Sequence, residues 1–122
     1  MTSDDYNRLL NVSRALVGVA AFAGPGQVFR GAGIDERRNP NLPFVTRMFG
    51  VRDLVLGAGA LSTSGDERRR WLQATVVADV GDLVAAVIAG RSGHLPRHGA
   101  IMLGLTAGTG TALGIAALVT GD

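Results

Sequence analysis

The sequence predicts an all-α fold, a four-transmembrane-helix bundle forming a single domain over residues 1–122. Three observations point there. Charged residues gather at Met1–Arg8, Arg30–Arg38, Asp66–Arg70 and Arg91–His98, leaving four long apolar stretches between them. Those stretches, Leu9–Phe29, Leu42–Ser62, Trp71–Gly90 and His98–Thr120, each approach the roughly 20 residues that cross a bilayer. Their patterning is helical, with no alternating runs that would suggest strands. A composition of 47% hydrophobic and 18% charged residues argues against disorder. The competing reading is a soluble four-helix bundle with unusually apolar helices, favoured by the modest mean hydropathy of +0.26.

The elements follow in order. The first helix can start after Ser3-Asp4-Asp5, whose side chains suit an N-cap and first turn. It runs to about Gly24, where Gly24-Pro25-Gly26 should break or end it. Gln27–Asn41 is the longest connection and contains the turn formers Asn39-Pro40-Asn41. The second long helix begins near Pro43, a residue favoured in a first turn, and ends around Ser62–Gly65. Ser64 and Glu67 have capping-box spacing for the third. Trp71, after Arg68-Arg69-Arg70, stands where an interfacial aromatic anchor belongs. Gly90 and Gly93 close that helix, and the last runs from about Arg97 to Thr120.

Composition narrows the function. With no cysteine, disulfides, thiolate metal sites and cysteine nucleophiles are excluded. The twelve basic residues are all arginine, spread over several loops rather than clustered with aromatics, which argues against nucleic acid as a partner. Asp4 and Asp5 stand where a signal peptide carries basic residues, so the first apolar segment is expected to stay as a span. His94 and His98 are four apart, but Pro96 between them argues against a helical metal pair. No metal or other cofactor is expected. Gly57-Ala58-Gly59 and Gly108-Thr109-Gly110 lack a dinucleotide fingerprint and its strand context.

The informative residues are charges inside the apolar segments. Arg52 and Asp53 lie mid-way along the second span, and Asp79 and Asp82 near the middle of the third. Such charges survive in a bilayer only when paired or facing the protein interior. Arg14 in the first helix can reach the same depth. Arg14, Arg52, Asp53, Asp79 and Asp82 thus form an expected intramembrane network of two cations and three anions. The excess acid is either protonated or met by Arg47 or a partner protein. The network reads as an ionic staple fixing helix register, as a ligand, ion or proton site, or as a partner-facing patch. Asp79 and Asp82 can share a proton, but no nucleophile or oxyanion donor accompanies them, and an enzyme is not expected.

Small residues supply a second regularity. Thr46, Gly50, Asp53, Gly57, Ala60 and Ser64 share one face of the second span. Thr75, Asp79, Asp82, Ala86 and Ala89 share one face of the third, and Gly104, Gly108 and Thr111 line the fourth. Small residues let helix backbones approach closely in lipid, so Gly50, Gly57, Gly104 and Gly108 are expected packing positions. The second span should then meet the third through the faces that carry the aspartates.

The run Arg47-Met-Phe-Gly50-Val-Arg52-Asp53-Leu-Val-Leu-Gly57, with an Asp-bearing third helix after it, resembles a family of small bacterial four-helix membrane proteins of unknown function, loosely DoxX-like in layout. The distinctive portion is Gly50-Val51-Arg52-Asp53-Leu54. The resemblance implies a four-span bundle and no established activity. The sequence therefore predicts a multi-pass protein of the inner (plasma) membrane, an accessory or stabilising subunit of a larger transporter or respiratory assembly. Its partners would be the lipid bilayer and other membrane-protein subunits, with homo-oligomers also compatible. The alternative is a self-contained protein that binds or transports a small molecule or lipid at the Asp/Arg cluster. Four arginines at one set of ends face five at the other, too even to set orientation.

Overall fold

The computed structural model describes residues 1–31, 33–35 and 37–120. They form five α-helices and no strand: α1 (Ser3–Ala23), α2 (Pro25–Gly31), α3 (Leu42–Ser62), α4 (Gly65–Arg91) and α5 (Arg97–Val119). The all-α class holds. Length and composition qualify α4 and α5 as membrane-crossing helices, and α1 with α2 as a third only if that bent pair is one span. The second long helix of the chain, α3, has the length but carries Arg47, Arg52 and Asp53.

Local chemistry sets the boundaries. Thr2 is the N-cap of α1, and the Ser3-Asp4-Asp5 group forms its first turn, with Asp5 completing a capping box. The Thr2 hydroxyl accepts from the Asp5 N–H at 3.2 Å, and the Asp5 carboxylate accepts from the Thr2 N–H at 2.8 Å. The Thr2 N–H foremost, and the Thr2 hydroxyl beside it, hold the Asp5 carboxyl below the ordinary carboxylate range. The expected break comes at Gly24-Pro25, where the chain turns by 109°. Leu9–Phe29 is therefore not one straight span. Proline has no N–H to continue the ladder, so α2 departs across the end of α1. Gly93, with φ +77°, makes the reversal after α4, while Gly90 stays helical. Ser64 precedes α4 in cap position, but its side chain makes no capping bond.

The helices pack as two tight pairs, α1 on α3 and α4 on α5, joined by narrower contacts between α1 and α5 and between α3 and α4. The expected α3–α4 seam through the glycine face is thus corrected. Gly50 and Gly57 face α1, where added Cβ atoms would lie 2.5 Å from the Gly18 carbonyl oxygen and 2.9 Å from that of Asn11. The α3–α4 contact instead uses Gly59, which seats the Trp71 ring. Trp71 is partly buried and packs beside the small cluster of Ala60, Leu72 and Ala117.

Polarity runs opposite to that of a water-soluble bundle. The largest fully buried side chains are Asn7, Asn11 and Thr75. Each long helix turns large apolar residues outward, among them Leu16, Phe44, Val77 and Leu105, all more than 60% exposed. Polar inside and apolar outside is the arrangement expected where the surroundings are hydrocarbon.

Candidate functional site

Arg14, Arg52, Asp53, Asp79 and Asp82 come together near the mid-length of α1, α3 and α4. Arg14 is the hub. Its guanidinium pairs with Asp79 on α4 and, at 3.3 Å, with Asp53 on α3. Arg52 grips both oxygens of Asp82 at 3.0 and 2.6 Å, a bidentate geometry that adds directionality to charge attraction. It also reaches Asp53 at 3.3 Å. Asp53 Oδ1 is therefore shared by both guanidiniums, and the chain Asp79–Arg14–Asp53–Arg52–Asp82 ties three helices together. The fourth meets it through Gly110, where a Cβ would lie 2.5 Å from Asp79 Oδ2.

The pairing expected between helices is present in both Arg14–Asp79 and Arg52–Asp82. Arg52 reaches its sequence neighbour as well, because Asp53 lies at the edge of the α1–α3 contact where a long side chain can bend to it. The network is graded in exposure. The Arg14 and Asp79 side chains are 6% and 7% exposed, whereas those of Arg52 and Asp82 are 33% and 29% exposed. The inner pair is enclosed by protein, and the outer pair opens on the flank between α3 and α4. Phe49 shields part of it, with the Arg52 guanidinium 4.4 Å above the ring centroid. Arg47, the alternative fifth-charge partner, lies away from the cluster over Phe22, where its Nε donates to the Phe22 carbonyl at 3.1 Å.

A polar ladder on α1 leads into this network. Asn11 donates to Asn7 at 2.9 Å, and Asn7 donates to the Ala60 carbonyl at 3.3 Å. Asn11 Oδ1, Arg14 Nε and Arg52 Nε are buried with no hydrogen-bond partner among the described residues. Neither asparagine figured among the expected site residues. Their signal was present in the sequence: Asn7, Asn11, Arg14 and Gly18 recur at steps of four, three and four, one face of α1.

The expected packing glycines divide. Gly50 and Gly57 pack against backbone. Gly104 meets only the Leu83 side chain, at 3.7 Å from its Cβ position, and Gly108 meets nothing within 4 Å. On α5 the close contacts belong instead to Gly110 and Gly114, seated on Asp79 and Val76. Of the histidines, His94 Nδ1 lies 3.0 Å from Ser92 Oγ, while His98 lies beside Gly33.

Chemically, the cluster is a closed set of ion pairs in which each carboxylate accepts from at least one guanidinium. Two cations against three anions leave a formal charge of −1. The chain matches no protein-family model, no curated protein and no solved structure.

Proposed function

We propose that this chain is a four-span integral membrane protein acting as an accessory subunit of a larger membrane assembly, docked through the flank between α3 and α4. The observation that carries the reading is the half-open Arg52–Asp82 pair. A charge pair at mid-span that lipid can reach is poorly solvated there, and a neighbouring protein helix can supply the missing donors. The inverted polarity supports four spans rather than two or three, since α1 and α3 present the same apolar exterior as α4 and α5. On this reading the enclosed Arg14–Asp79 pair neutralises charge on α1 and α4, and α3 enters the bilayer with its charges already partnered.

A second feature lies on the same flank. Ala74, Ala78, Gly81 and Ala85 follow one another at steps of four, three and four along α4, next to Asp82. Ala74, Gly81 and Ala85 are exposed, and a Cβ on Gly81 would meet nothing within 4 Å. A small-residue face left open beside a polar group is what a close-packing partner helix uses. Closure of every carboxylate by an arginine favours this docking role over an open ligand site within the cluster.

The test uses mild detergent extraction and native mass measurement. The parent chain is expected in a complex with another membrane protein. Gly81→Leu should release it as an intact monomer, because nothing in the isolated bundle obstructs the new side chain. A Gly81→Leu protein that keeps its partner refutes docking by this face. Reporter fusions after Gly65 and Thr120 should share a compartment opposite to that of a fusion at Asp35. A different pattern refutes four spans.

A further inference from the structure

On the other flank of α4, the helix meets α5 along an apolar groove of about 440 Å³. Leu83 and Val87 form one wall and Leu105 lies on the other, with Gly104 keeping the floor low. Arg91 and Arg97 line its mouth, at the C-terminus of α4 and the N-terminus of α5. Neither arginine enters an ion pair among the described residues. Leu83 to Arg91 and Arg97 to Leu105 each cover about 12 Å of helix axis. One leaflet of a bilayer is about 15 Å of hydrocarbon. The groove therefore has the depth of a single leaflet, with both cations at headgroup level. The first-turn amides of α5 also lack a side-chain cap at that end, since Pro96 occupies the cap position.

We infer that this groove seats an acyl chain of an anionic phospholipid whose phosphate lies against Arg91 and Arg97. The inference rests on the membrane-spanning reading above. The apolar length selects a lipid tail, and two unpaired guanidiniums at its mouth select a negative headgroup over a zwitterionic one. Gly104, whose Cβ position lies 3.7 Å from the Leu83 side chain, then serves to keep the groove open to a lipid tail.

The full chain, purified in nonionic detergent, is titrated with phosphatidylglycerol or phosphatidylcholine of identical chains and read by native mass spectrometry. Two arginines acting independently give a preference for phosphatidylglycerol on the order of thirtyfold. The R91Q/R97Q variant should bring the two lipids close to parity, whereas R37Q/R38Q, charges removed from the other basic loop, should keep the preference. Gly104→Leu, which raises the groove floor, should lower retention of both lipids. The inference is overturned if R91Q/R97Q keeps the parent's preference or Gly104→Leu keeps its lipid. Release of the parent from membranes by alkaline carbonate would instead overturn the membrane reading itself. An integral chain with no headgroup preference overturns only the groove.

Discussion

Gly18 and Gly50 offer the sharpest test of how α1 and α3 are held together. A Cβ on Gly18 would stand 2.6 Å from the Gly50 carbonyl oxygen and 2.9 Å from the Leu54 nitrogen. A Cβ on Gly50 would stand 2.5 Å from the Gly18 carbonyl oxygen and 3.0 Å from the Phe22 nitrogen. Ordinary contact begins near 3.4 Å, so the two methyl groups fall short by 0.8 and 0.9 Å. The obstructing atoms are backbone and cannot swing aside. The helices must part, which also lengthens the Arg14–Asp53 contact one turn away, already at 3.3 Å. Overpacking of this kind costs about 1–3 kcal/mol. Against it stands the helix-propensity gain of Gly→Ala, about 1 kcal/mol. Gly18→Ala and Gly50→Ala should therefore each destabilise by a net of up to ~2 kcal/mol, where an unobstructed site would gain. The double variant should lose less than the total of the two, because one separation admits both methyls. Gly108→Ala is the control: nothing lies within 4 Å of its Cβ, so only the propensity gain of about 1 kcal/mol remains. The assay is helical signal in mixed micelles as the fraction of denaturing detergent rises. If Gly18→Ala shifts the midpoint upward as Gly108→Ala does, the close α1–α3 approach is wrong.

Arg14→Met leaves Asp79 and Asp53 facing each other without their shared cation, and should destabilise by about 3–5 kcal/mol in the same micelle assay. Asp79→Asn alone should also destabilise, and the double variant should recover part of the loss; strictly additive effects would deny the pair. Gly59→Ala pushes a methyl into the Trp71 ring, so the emission of this lone tryptophan should shift and its quenching by aqueous iodide change. Unchanged emission would mean that Trp71 does not rest on α3. Asp5 adds a pH dependence. Its folded pKa is depressed, so the stabilisation is present above the ordinary carboxylate range and is lost as pH falls through the folded value. Protection of the first-turn amides of α1, taken relative to the intrinsic exchange rate at each pH, should fall on acidification, and Asp5→Ala should remove that dependence.

The central charges were legible in the sequence because an ionisable residue within an apolar stretch stands out without any knowledge of neighbours. Gly24-Pro25 and Gly93 were legible because they act through their own backbone. Neighbour choice was not. Periodicity places Gly50 and Gly57 on one face of α3, but a face does not say whether α1 or α4 lies against it. On α5 small residues occur on nearly every side, so Gly104 and Gly108 were no better marked than Gly110 and Gly114. The seat of Trp71 was not legible, since the hollow that receives it is made by Gly59 on another helix. Asn7 escaped notice because it precedes the apolar run, although it continues the face of Asn11 and Arg14.

The Arg52 clasp also bears on how such a chain is made. Translocon insertion of a helix-centre arginine or aspartate costs about 2.5–3.5 kcal/mol per residue, and α3 carries both Arg52 and Asp53. On the four-span reading, α3 cannot be released into lipid by itself. Arg14, which answers Asp53, is synthesised before it; Asp82, which answers Arg52, is synthesised after it. The nascent α3 must then remain beside α1 until α4 has emerged from the ribosome. A chain cut short at Ser62 keeps Arg52 without Asp82, its bidentate partner, and with only the longer contact to Asp53. Emergence of α4 and neutralisation of α3 become a single event.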